Sequence, residues 1–130
     1  MDLIADASFL IGLWRRQPWA VAYASAHAAK SLGLPWVVLG EFWHGATRAA
    51  HDPALVRGVL AVGVPILDPE PVIPVYGRIC AAIQDAPGYR EIGQNDLWIA
   101  AVCVALGKPL ITRNLRHFSA IPDLRVEVVG

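Results

Sequence analysis

The sequence predicts an α/β fold, a three-layer α/β/α arrangement with a central parallel sheet of about five short strands. Two observations carry that reading. Apolar runs without alternation, such as Leu3-Ile4-Ala5 and Leu110-Ile111, mark strands buried on both faces. Stretches of helical spacing separate these runs along the whole length, as parallel crossovers require. With 130 residues, 55% of them hydrophobic, the chain has the length of one domain and can bury a core without disulfides or structural metal.

The elements follow in order. Leu3 to Ala5 is a strand ending at Asp6, and Phe9, Leu10, Leu13 and Trp14 then keep helical spacing. A second, Ala-rich helix is expected from about Trp19 to Lys30, stopped by Gly33. Trp36 to Leu39 reads as the second strand, and Gly40 precedes a helix from about Glu41 to Ala50. Asp52-Pro53 supplies an N-cap and first turn for a helix over Ala54 to Val62, and Pro65 to Leu67 is a minimal strand closed by Asp68-Pro69. The next helix spans about Val72 to Gln84, broken by Ala86-Pro87-Gly88 and a loop to Gln94. Asn95 is read as the cap of a helix that runs to Leu106 and stops at Gly107. Leu110 to Thr112 is a strand, and Arg125 to Val129 closes the chain as an edge strand.

Composition excludes several classes. No apolar stretch reaches the roughly 20 residues of a membrane span, and no basic leader precedes the first strand, so a cytoplasmic protein without membrane contact is expected. Cys80 and Cys103 lack Cys-x-x-Cys spacing and read as reduced thiols in helices. The formal net charge is zero, so any affinity for nucleic acid must be local, at Arg15, Arg16, Arg48 or the group Arg113, Arg116 and His117. Phosphate-binding glycine loops are absent, which argues against nucleotide cofactors.

In an open parallel sheet, ligands bind outside the carboxyl ends of the strands. Asp6 ends the first strand, Glu41 opens the helix after the second, and Asn114 follows Leu110 to Thr112. Asp96 begins a helix that runs back into that last strand, so it shares the same edge. Any one Asp or Asn there is explained by capping. Capping does not explain Glu41, or three acids on one edge. Clustered carboxylates repel and raise one another's pKa values unless a divalent cation neutralises them. Hard oxygen ligands suit Mg2+, with Mn2+ as a substitute, and phosphodiester hydrolysis through a metal-activated water follows.

The residues Asp6-Ala-Ser8, Glu41, Asn95-Asp96-Leu-Trp-Ile-Ala-Ala101 and Thr112-Arg113-Asn114-Leu-Arg-His117-Phe118 resemble PIN-domain nucleases over the whole chain, and most of all their VapC toxin subgroup. The resemblance implies a single PIN-like domain over residues 1–130 with strand order 3-2-1-4-5. It implies that Asp6, Glu41 and Asp96 hold the metal, that Thr112 and Asn114 complete the pocket, and that Asp6, Glu41, Asp96 and Asn114 form the catalytic set. Ser8, Asn95, Thr112, Arg113, Arg116 and His117 are candidates for supporting or RNA contacts, with His117 equally able to pack beside Phe118. It further implies an RNA substrate, a homodimer, and a small VapB-like antitoxin whose tail blocks the site, with higher assembly when the antitoxin is bound. Many PIN domains carry Asp where this chain has Asn114, which leaves one firmly held metal and a second arriving with RNA.

Rival readings are weaker. Glu41-Phe-Trp-His44 has di-iron spacing but only one such pair, and His27 and His51 have no partner at ligand spacing. A phosphoacceptor receiver domain, with Asp68 as acceptor, would need adjacent acids after the first strand and a lysine ending a late one. Asp6 stands alone and Lys108 precedes its strand. A non-catalytic PIN-like interaction module is the remaining alternative. Trp36 and Trp98 are read as core, whereas Trp14 and Trp19 beside Arg15-Arg16 are candidates for a partner groove.

Overall fold

The computed structural model describes residues 1–129. Five strands, β1 (Leu3–Ala5), β2 (Leu32–Pro35), β3 (Val64–Ile66), β4 (Leu110–Thr112) and β5 (Val126–Val128), pair in parallel in the order β3-β2-β1-β4-β5. Leu3 faces Leu32, Ile4 faces Leu110, and Leu110 faces Val126 in register. Every residue of β1, β2 and β4 is buried. Because alternate side chains of a strand point to opposite faces, this burial means that helices cover both faces of the sheet. The edge strands β3 and β5 are more exposed.

Seven helices connect the strands: α1 (Ala7–Trp14), α2 (Pro18–Ala26), α3 (Trp36–Arg48), α4 (Pro53–Leu60), α5 (Ile73–Ile83), α6 (Gln94–Leu106) and α7 (Leu115–Phe118). Helix α6 is buried on most of its surface, from Leu97 through Cys103, and it packs along α5 while touching α3 and α7. Pro53 stands in the first turn of α4, where the Asp52 carboxylate accepts from the Ala54 N–H at 3.0 Å, as the sequence suggested. Gly107 ends α6 with a positive φ of 64°, a conformation natural to glycine.

The second strand lies earlier than the sequence reading placed it. Trp36 to Leu39 is the first turn of α3, and the strand is Leu32–Pro35. Gly33 disguised the strand by breaking the apolar run; Met1 and Ile66 side chains close over it where a Cβ would stand. Val38, Phe42 and Ala46, four residues apart and all buried, were the truer signal, because that spacing defines one helix face. Glu41 is therefore in the second turn of α3 rather than at its start. Two other expectations fail. Helix α2 stops at Ala26, well short of Lys30, and α6 is capped by Gly93 without a side-chain bond, so Asn95 is not its cap.

Candidate active site at the carboxyl edge

Strand order reverses at β1, whose neighbours β2 and β4 lead away in opposite directions. The chain leaves β1 and β4 there through Asp6 and Arg113, and this switch point is where open α/β sheets collect ligands. Asp6 caps α1 and is only 5% exposed. Its Oδ1 accepts from the Ser8 N–H at 3.1 Å and the Ser8 hydroxyl at 2.5 Å, and its Oδ2 accepts from the Thr112 hydroxyl at 2.5 Å. Thr112 Oγ1 in turn accepts from the Asn114 N–H at 2.9 Å. Capping and convergence therefore coexist at one carboxylate.

Burial raises the Asp6 carboxyl above the usual Asp value, and the charge of Asp96 adds to it, although the bonds from Ser8, Thr112 and Phe9 oppose the shift. Glu41, half-buried on α3, is raised for the same leading reason and then by the charges of Asp96 and Asp6, with Asn95 opposing. The three acids thus sense one another across the rim. Asp96, in the first turn of α6, meets an imidazole: His117 Nδ1 stands 3.0 Å from its Oδ2. Beneath them, the buried Cys103 thiol is pushed up by burial and by the Asp6 charge, which leaves it inert.

Several other side chains expected at the site fall around this centre. Asn114 occupies the N-cap position of α7 without a side-chain cap bond and is exposed, as are Asn95, Arg113, Arg116 and His117. The Arg113 guanidinium lies 4.6 Å over the Trp19 ring, and its backbone N–H donates to Ser8 Oγ at 3.4 Å. Sequence reasoning missed both this stack and the His117 bond to Asp96; neither spacing nor residue type announces a contact between remote segments. A cavity of about 400 Å³ has Glu41 in its lining, together with Ile11, Trp14, Arg15, Phe42 and Ala46. Trp14 lines it, whereas Trp19 packs edge-on against Phe9 instead. Trp36 and Trp98 are half-buried neighbours, 6.2 Å between rings, rather than fully enclosed core. Asp68 accepts from the Glu70 N–H in a local exposed turn, and His44 is exposed, so neither joins the rim.

The donor set is all oxygen. Among the described residues, no three His, Cys, Asp or Glu side chains stand close enough to close on one ion. The expected set of Asp6, Glu41 and Asp96 is therefore not gathered as a three-carboxylate site among the described residues, while oxygen donors as a class suit a small hard cation such as Mg2+, which keeps several waters. Mutual repulsion among Asp6, Glu41 and Asp96 is the feature such a cation would relieve.

Comparison with known proteins agrees with the geometry. The PIN domain family matches residues 3–124. Ribonuclease VapC1 of Haemophilus influenzae (strain R2866) is 28% identical over 130 residues, covering 96% of each chain. Ribonuclease VapC2 of the same species (strain ATCC 51907) is 25% identical over 131 residues, covering 98% of this chain and 97% of that protein. Among solved structures, VapBC2 from Rickettsia felis bound to a promoter DNA fragment superposes with a TM-score of 0.82 at 19% identity, over the whole of both chains. VapBC-1 from nontypeable Haemophilus influenzae gives 0.80 at 23% identity, over 98% of each. With residues 3–124 matched, nearly the full chain, this protein belongs to the PIN domain family.

Proposed function

We propose that the protein is a metal-dependent endoribonuclease that hydrolyses RNA phosphodiester bonds and acts as the toxin of a toxin and antitoxin pair. The observation that carries the reading is the set of carboxylates Asp6, Glu41 and Asp96 on one rim, each from a different element, with Asp6 and Glu41 raised first by burial and further by their acidic neighbours. Asp6 and Asp96 would hold a Mg2+ or Mn2+ ion, with Glu41 as the third carboxylate. Bound there, such an ion supplies a nucleophilic water at neutral pH and offsets charge on the scissile phosphate.

The chain's own residues do the positioning. Ser8 and Thr112 fix both oxygens of Asp6, so this ligand cannot swing away when its charge is neutralised. Asn114 sits where a further carboxylate would add charge, and its amide leaves one cation firmly held. Arg113, kept on Trp19 next to Ser8, is the cationic group best placed to meet an RNA phosphate.

The similarity to ribonucleases named VapC and to VapBC complexes supports a VapB-like antitoxin as partner. The apolar cavity of Ile11, Trp14 and Phe42 includes Glu41 in its lining, so a peptide tail seated in it would cover that acid. A homodimer in the cytoplasm completes the reading. The test is cleavage of total cellular RNA by purified protein with Mg2+ or Mn2+ and with EDTA, beside Asp6→Ala and Asp96→Ala of matched fold. Discrete, metal-dependent products lost in both variants support the nuclease. No cleavage in any condition, with no metal bound by calorimetry, leaves a PIN-like interaction module.

A further inference from the structure

The chain from the end of β4 through α7 touches the acidic rim twice. Thr112 donates to Asp6 Oδ2, and five residues later His117 meets Asp96 Oδ2. Between them the chain turns through the short helix α7, pinned by Phe118, which is 1% exposed. An ionised carboxylate only accepts hydrogen bonds, so the proton of this contact resides on His117 Nδ1, and Nε2 faces away from Asp96. The imidazole is about half exposed and makes no other side-chain bond among the described residues, so packing beside Phe118 does not account for its orientation.

Resting on the reading of Asp96 as a metal ligand, we propose that His117 is a positioning residue for that ligand. Its Nδ1–H occupies Oδ2 and leaves Oδ1 as the oxygen free to ligate. Asp96 is thereby held as a single-oxygen ligand in one rotamer, while Thr112 does the same for Asp6 from the other end of the segment. Mg2+ demands near-ideal octahedral geometry, so fixing the two carboxylates from one rigid segment sets their separation before the ion arrives. Hydrogen-bond partners of metal ligands commonly contribute 10- to 100-fold in metal affinity.

Calorimetric titration of Mn2+ into the whole protein without RNA tests this, with cleavage measured beside it. Wild type is expected to bind, Asp6→Ala not to bind, and His117→Ala to bind roughly 10- to 100-fold more weakly at an unchanged metal-free melting temperature. His117→Asn, whose amide N–H reaches about the position of Nδ1, is expected to recover most of the affinity. Equal affinity in His117→Ala overturns the proposal. So does tighter binding, the result if the imidazole were merely a cation competing with the metal, and so does a loss that Asn fails to restore. Absence of Mn2+ binding in the wild type removes the nuclease reading, and this inference with it.

Discussion

The Thr112 hydroxyl donates to Asp6 Oδ2 across 106 residues of chain, joining the carboxyl ends of the two central strands. Thr112 is fully buried, and its oxygen also accepts the Asn114 N–H. Thr112→Val keeps the shape but strands a buried carboxylate oxygen and a backbone donor. A loss of about 1–3 kcal/mol is expected from urea unfolding at unchanged m-value, together with reduced cleavage. Wild-type stability in this variant would show that the bond contributes nothing.

Asp6 predicts an unusual pH dependence. Its folded carboxyl lies above the ordinary Asp value because of burial, so protonation favours the fold. Stability from this group is full below the unfolded value and is lost as pH rises through the folded one. In EDTA, Asp6→Asn should therefore melt higher than wild type at neutral pH, with the gap closing toward acid. A neutral-pH melting temperature below wild type contradicts the assignment.

Metal should reverse that ranking. An ion that binds only the folded state adds about 2.7 kcal/mol at 100 times its dissociation constant. Mn2+ should raise the wild-type melting temperature and leave Asp6→Asn unmoved. Equal shifts in both proteins would place the ion elsewhere.

Arg113 on Trp19 predicts a change in salt dependence rather than in chemistry. In a Glu41→Gln background, Arg113→Gln should weaken single-stranded RNA binding and reduce the salt slope by about 0.7, the value for one lost phosphate contact. Trp19→Leu should weaken binding through the same arginine, by about 0.5–1 kcal/mol. An unchanged slope in Arg113→Gln removes it from the RNA path.

Gly12 sets the position of that tryptophan. A Cβ there would stand 2.6 Å and 2.7 Å from Trp19 ring carbons and 3.0 Å from the Ala20 Cβ. Gly12→Ala forces a rigid indole to move where α1 and α2 meet, and should cost about 1–3 kcal/mol by denaturant unfolding. A neutral substitution would mean that the two helices separate freely.

Local signals made most of the fold legible. β1 is an apolar run of three between Asp2 and Asp6, β4 an apolar pair ended by Thr112, and Asp52-Pro53 and Gly107 are local start and stop signals whose physics does not depend on the rest of the chain. β2 was misplaced because its glycine is permitted by Met1 and Ile66, residues far away in sequence. Asp6 and Asp96 were visible because a strand or helix end places them at a known edge, whereas Glu41 was placed there through a helix start that lies earlier in the structure. The partners were not visible. His117 reaches Asp96 only because α7 packs on α6, and Arg113 finds Trp19 only because the β4 terminus lies beside α2.

The remote pairing of Asp6 with Thr112 also orders events in time. Asp6 leaves the ribosome 106 residues ahead of Thr112, with His117 later still, and long-range parallel pairing is slow to form. A nascent chain therefore lacks the Thr112 bond to Asp6 and has no assembled rim. Under the proposed ribonuclease function, the growing polypeptide is thereby harmless to the template and ribosome that are making it, because activity waits for the later segment to pair.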